Sequence, residues 1–292
     1  MKKHKISWLN IPGYIPTTWN PVVGCNKVSP GCANCYAEKW AARLASMPAQ
    51  KHKYGKVITD GKWNGCTFAD PYTIDAPSGW RKPHSIFVCS MGDLFHETIS
   101  FSLIDEIWDE MCFNPQHLYI VLTKRPERML EYFKHLGKRV KEMGFDSVPT
   151  QSNNLLNYMS CPDFIWMGVT AENQEQADIR IPILLQSPAT VRFVSCEPLL
   201  GEISLLQYLP IIVGNKKYNR YSQIDWVIAG GESGPGYRKM IYAWPFMLKS
   251  QCKAAGIPYF FKQWHKKSDG RLLVGQEYNE FPQLTNNQIT KR

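Results

Sequence analysis

Residues 17–43, TTWNPVVGCNKVSPGCANCYAEKWAAR, decide how the rest of the chain is read. The apolar run near Trp19–Val23 predicts a strand. Gly24, Pro30, Gly31 and Asn34 then mark a loop, and Cys35–Ala45 predicts a helix. Cys25, Cys32 and Cys35 sit in that loop with the spacing C-x6-C-x2-C. Two thiolates separated by two residues can reach one metal centre, and a third from upstream can fold back across the same loop. Such a set suits zinc, which needs a fourth ligand, or a [4Fe–4S] cluster that leaves one iron open. The next cysteine, Cys66, lies thirty-one residues on and stands alone, and no His falls in the loop. A third reading is three unrelated core thiols, because free Cys is among the most buried residue types. Core cysteines, however, usually sit on strands or helices rather than beside Gly and Pro.

Outward from this stretch, strand-like and helix-like runs alternate without a repeat. Ser85–Ser90, His117–Thr123, Ile165–Thr170, Thr190–Cys196, Trp226–Ala229 and Pro258–Phe261 read as further short buried strands. Helices are expected near Ser102–Asn114, Pro126–Leu136, Gln174–Leu185 and Trp244–Ala255. The rhythm predicts an α/β fold with a parallel sheet and helices outside, as a partial or complete barrel. Residues 1–16 read as a polar arm, 17–264 as the barrel and 265–292 as a polar tail. Residues 46–84 and 137–161 read as loop insertions, the first a candidate cover for a site.

Polar groups follow nearly every predicted strand at its carboxyl end. Cys25 follows the first, Ser90 and Asp93 the second, Lys124 and Arg125 the third. Thr170, Glu172 and Asn173 follow the fourth, Glu197 the fifth, and Glu232 with Ser233 the sixth. In a parallel barrel these positions converge on one mouth, where ligands bind. The mixture of acid and base suits a zwitterionic ligand bearing amino, carboxylate and ribose groups. For any one residue, polarity resuming at a strand end is an equally good account. Lys124 and Arg125 could grip a carboxylate or phosphate, or form a solvated helix turn. Cys196 could donate hydrogen, although a core thiol is the simpler reading. His96 could be an acid–base group or a packed histidine. Gly230-Gly231-Glu232-Ser233-Gly234 allows close approach of backbone to a ligand, but it has neither G-x-G-x-x-G spacing nor a phosphate-loop Lys.

The net charge of +9 favours a polyanionic partner. Lys51–Tyr54, Arg125–Arg128 and Lys138–Arg139 are possible phosphate contacts or solvated faces. Nine cysteines in 292 residues do not read as a disulfide framework. The absence of a long apolar run or a signal-like start predicts a cytoplasmic chain without a membrane span.

The phrases TTWNPVVGCNKVSPGCANCYAE, SMGDLFHE, VLTKRPERM, GVTAENQ, FVSCEPLLG, WVIAGGESGP and FFKQW resemble a phage- and prophage-associated family of radical S-adenosylmethionine (SAM)-like proteins. That family is distantly similar to the spore photoproduct lyase branch. The usual superfamily spacing is C-x3-C-x2-C with an aromatic before the last Cys. Here the first gap is six residues and Tyr36 follows the last Cys. The resemblance implies a radical-SAM type of barrel, with a [4Fe–4S] cluster on Cys25, Cys32 and Cys35 and SAM on its open iron. It implies reductive cleavage of SAM to a 5′-deoxyadenosyl radical, an external electron donor of the flavodoxin or ferredoxin type, and a nucleic-acid or nucleotide substrate. Tyr36, Ser90, Asp93, Thr170, Glu172, Asn173 and Glu232 become the expected SAM contacts, with Asp93 reaching the methionine amine. Lys124, Arg125, Cys196 and Glu197 become the expected catalytic groups. Two alternatives stay open: a zinc-stabilised nucleic-acid binder, and a scaffold that keeps a cluster without SAM chemistry.

Overall fold

Seven strands form one sheet whose neighbours are all parallel and lie in chain order. They are β1 (Ile15–Trp19), β2 (His84–Val88), β3 (Leu118–Thr123), β4 (Ile165–Thr170), β5 (Arg192–Cys196), β6 (Trp226–Gly230) and β7 (Tyr259–Gln263). The computed structural model describes residues 4–142, 161–213, 216–218, 223–265 and 270–284. Among the described residues, the longer helices beside the sheet are α1 (Tyr36–Ala45), α2 (Phe101–Phe113), α3 (Pro126–Glu142), α4 (Gln174–Leu184) and α5 (Ala243–Ala255). The sheet curls into a half-barrel, and β1 and β7 remain its edges. Among the described residues, no helix is long and apolar enough to cross a membrane.

Several elements differ from expectation. The first strand ends at Trp19, and Val22–Val23 pairs instead with Phe68–Ala69 outside the sheet. Pro21, which has no N–H to donate, separates the two pieces. The 46–84 stretch is also more ordered than a loop. It carries a short helix, Pro48–Tyr54, and a ribbon pairing Ile58–Thr59 with Lys62–Trp63. Val23, Ala37, Ala41, Tyr54, Val57 and Met91 form a small core that fastens it to α1. Lys53 and Asp70, both buried, pair at 3.1 Å across its base. The expected 137–161 insertion begins inside α3, and residues 143–160 of it lie outside the described residues.

Strand periodicity splits the core in two. Ile86, Val121, Met167, Val194, Cys196, Val227 and Phe261 face the helices. Phe87, Ile120, Trp166, Phe193, Trp226 and Phe260 face the concave side. The arm fills the lower part of that concavity: Trp8, Leu9, Ile11 and Tyr14 are buried there, with Trp8 edge-on to Phe87 at 4.9 Å. The tail contributes as well, because Phe261 N donates to Tyr278 O at 2.9 Å and Phe281 packs on the same concave core. Both ends thus supply the floor of the half-barrel and leave its mouth open.

Candidate functional site

Above this aromatic floor lies a cleft of about 1270 Å³, running from the mouth down the concave face to the arm. That exceeds the usual volume of a small-ligand site, roughly 300–1,000 Å³. Cys25, Cys32 and Cys35 all line it as free thiols, as do Tyr36, Ser90, Asp93, Lys124, Arg125, Thr170, Glu197 and Glu232. Glu172, Asn173 and Cys196 do not.

The cysteine loop is held over the mouth by side chains from distant strand ends. Glu172, fully buried after β4, accepts from Gly31 N at 2.9 Å and from Arg180 Nη1 at 3.0 Å. A Cβ on Gly31 would stand 2.9 Å from Glu172 Cδ, so this approach needs glycine. Beyond β6, Glu232 pairs with Arg238 at 2.7 Å and accepts from Asn34 Nδ2 at 2.9 Å. Arg238 Nη2 in turn donates to Pro30 O at 2.9 Å. From the β2 and β3 ends, Glu97 accepts from Asn26 Nδ2 at 2.6 Å, and Arg125 donates to Asn26 Oδ1 and, at 3.7 Å, to Cys25 Sγ. Burial opposes the charged forms of Glu172 and Glu232, yet hydrogen bonds and cationic partners outweigh it and hold both below the usual carboxylate range.

Several of the expected site residues already have partners within the protein. Asp93 was expected to meet a ligand amine, but Phe95 N, Thr123 Oγ1, Lys124 N and Arg125 Nη1 already occupy its two oxygens. Arg125 was expected to grip a substrate anion, but its guanidinium serves Asp93, Glu97, Asn26 and Cys25. Burial alone would lower its pKa, and Asp93 and Cys25 more than reverse that. Asn173 caps α4, accepting from Gln176 N at 3.0 Å. Cys196 is a core thiol between sheet and helices, its pKa raised well above normal by burial. His96 is fully buried against Thr98 and Asn26. Of the basic clusters, Lys53 is spent on Asp70, Arg128 on Ile99 O and Arg139 on Asp109.

What remains to meet a ligand is a smaller set. Lys124 Nζ reaches Thr170 Oγ1 at only 3.5 Å. Glu197 pairs with Lys262 at 2.9 Å and accepts from Ser195 Oγ at 3.3 Å. Tyr36 donates its hydroxyl to Ser90 O at 2.9 Å, and Ser90 donates to Asn20 Oδ1 at 3.1 Å. Ser195, Lys262, Asn20 and Trp40 were missed from sequence. Strand alternation could have found Ser195: it shares the concave parity of Phe193, whereas Cys196 takes the opposite one. A lysine inside the apolar run PYFFKQW was the signal for Lys262.

The thiols suit a soft metal or cluster in donor type, all three opening on one cleft without disulfides. Burial, and after it the Asp93 carboxylate, pushes the Cys25 thiol up to about 11, so ligation there must release a proton. Among the described residues, no three His, Cys, Asp or Glu side chains are already gathered as a metal-ligand set.

Fold and site together define a parallel α/β half-barrel protein with a three-cysteine loop tied across its mouth. The chain belongs to the family described as protein of unknown function (DUF5131), whose model matches residues 4–282. No curated protein and no solved structure matches it.

Proposed function

We propose that this protein is a radical-SAM-like iron–sulfur enzyme acting on a nucleotide or nucleic-acid substrate. The observation that carries the reading is the placement of Cys25, Cys32 and Cys35 on one cleft at the carboxyl ends of parallel strands. Those three residues would hold a [4Fe–4S] cluster. Such a cluster supplies, with an external electron donor, the electron that cleaves bound SAM and opens hydrogen abstraction from a second substrate. The chain's own residues bind and orient. The Glu172–Gly31 and Arg238–Pro30 contacts fix the middle of the loop. Arg125, beside Cys25, supplies positive charge that favours the thiolate. The Glu197–Lys262 pair, Ser195 and Thr170 line the cleft and are the groups offered to the polar parts of SAM, whereas Asp93 and Glu232 are turned to Arg125 and Arg238 beside the cysteine loop. The aromatic floor closes the concave side beneath the cleft.

The test is anaerobic reconstitution with iron and sulfide, followed by absorption spectroscopy, metal analysis and incubation with dithionite and SAM. The expected result is a brown protein near four irons per chain, as a [4Fe–4S] site requires, that releases 5′-deoxyadenosine. Cys32→Ala should abolish both iron loading and release; unchanged iron content in that variant would remove the assignment. A second reading, a zinc- or cluster-stabilised binding protein without SAM chemistry, draws on the saturation of Asp93, Arg125, Glu172 and Glu232 by internal partners. A colourless protein holding one zinc, or a brown one that never cleaves SAM, selects it.

A further inference from the structure

One wall of the cleft is not used by the cysteine loop. Helix α1 lines the cleft with Tyr36, Ala37, Trp40 and Leu44, a spacing that shares one side of a helix. Ala37 and Leu44 pack on the small core, as an apolar helical stripe ordinarily does, yet Tyr36 and Trp40 are each 47% exposed. Arg43 lies 5.5 Å from the Trp40 ring centroid. The charge on the cleft is one-sided as well. Its carboxylates, Asp93, Glu197 and Glu232, are matched by Arg125, Lys262 and Arg238. Lys5, Lys82 and Lys124 line the same cleft and form no ion pair with a described residue. The register Ser85↔Leu118 puts Lys82 and Lys124 at opposite ends of the sheet, roughly 20 Å or more apart along the strands at about 3.3 Å per residue. One phosphate group cannot serve both. A ligand that meets the aromatic wall and both cationic ends needs a flat ring and several spaced negative charges.

We propose that this face binds a segment of single-stranded nucleic acid, with a base on Trp40 and phosphates on Lys124 at the mouth and on Lys82 and Lys5 toward the arm. The proposal rests on the reading of the cleft as a substrate site and names the substrate class. Stacking on an exposed aromatic requires an unpaired base, which selects a single strand over a duplex. An acidic peptide would answer the charges but not the ring wall.

The test is fluorescence anisotropy of a short labelled DNA single strand with the reconstituted full chain, repeated across salt concentrations. Its duplex, a mononucleotide and a poly-glutamate peptide serve as competitors. The single strand should bind, and the others should compete poorly. Trp40→Ala should weaken binding by roughly five- to one-hundred-fold, and Trp40→Phe should recover most of it. Lys82→Glu should weaken binding and flatten the log–log salt slope by about 0.7 for each phosphate that is no longer neutralised. Lys134→Glu, exposed on α3, should change neither. Equal binding by wild type and Trp40→Ala, equal weakening in Lys134→Glu and Lys82→Glu, or equal competition by the peptide overturns the proposal. A chain that releases 5′-deoxyadenosine but ignores the strand loses this inference alone. A chain that binds the strand through Trp40 but never cleaves SAM loses the catalytic reading alone.

Discussion

At the scale of single residues, several of the buried charges hold the cysteine loop. Glu172 is the clearest case: it has no exposure, and it joins Gly31 N to Arg180, itself buried. Removing one partner of a buried ion pair strands the other charge, which typically costs about 3–5 kcal/mol. Glu172→Ala should therefore lose stability of that order in urea denaturation. On the iron–sulfur reading proposed above, it should also load less iron than wild type under equal reconstitution, because Gly31 loses its anchor. A variant as stable as wild type would show that solvent reaches Arg180 and that the clamp is dispensable. The sequence named Glu172 as a site residue, but the partner that gives it this role is 141 positions away. No local pattern carries that information.

At the scale of elements, the strands followed from their composition and the arm did not. The runs HLYIVLT and IWMGVT are apolar on both parities, as strands covered on both faces must be. The arm has no such run, its Ile6, Trp8, Leu9, Ile11 and Tyr14 being broken up by polar residues and Pro, yet the open concavity of a half-barrel has to be filled from somewhere. Trp8 is 2% exposed, with Phe87 and Trp226 around it. Trp8→Ala should cost about 3–5 kcal/mol, as deletion of a buried Trp does. A calorimetric scan checks this: an unchanged unfolding temperature would mean that the arm only rests on the sheet.

At the scale of the whole molecule, acid should undo the fold in two stages. Burial, with the neighbouring His84, drives His117 down from 6.5 to about 4 despite the Pro77 carbonyl, and burial lowers His96 and His84 too. The unfolded chain therefore takes up protons that the fold refuses. Stability from these groups is full above about pH 6.5 and declines as pH falls toward 4. The carboxylates add a second decline. Burial works against Glu97, but hydrogen bonds from its own backbone and Asn26, with His96 and Arg125, bring it from 4.5 to about 2. Glu172 and Glu232 shift in the same direction. Their contribution is present above about pH 4.5 and is lost as pH falls through the lower folded values. Urea midpoints measured from pH 8 to pH 3 should show both declines, and Glu172→Gln should flatten only the lower one. A midpoint independent of pH between 7 and 4.5 would contradict the histidine stage.

The sequence by itself determined the α/β class, the parallel strand rhythm, the cysteine loop and the strand ends at which polar side chains gather. Each of these is written in periodicity or in the chemistry of adjacent residues, so a local reading reaches it. The tertiary structure alone decided that the barrel stays open, that the arm and tail furnish its floor, and which strand-end groups face the cleft. It also decided that Asp93, Arg125, Glu172 and Glu232 tie the loop in place, while Lys124, Ser195, Glu197 and Lys262 line the cleft. The physical reason is that a buried charge takes its role from the partner that compensates it. In this chain those partners, such as Pro30 with Arg238 and Asn34 with Glu232, come together only when residues 208 and 198 positions apart meet at the mouth.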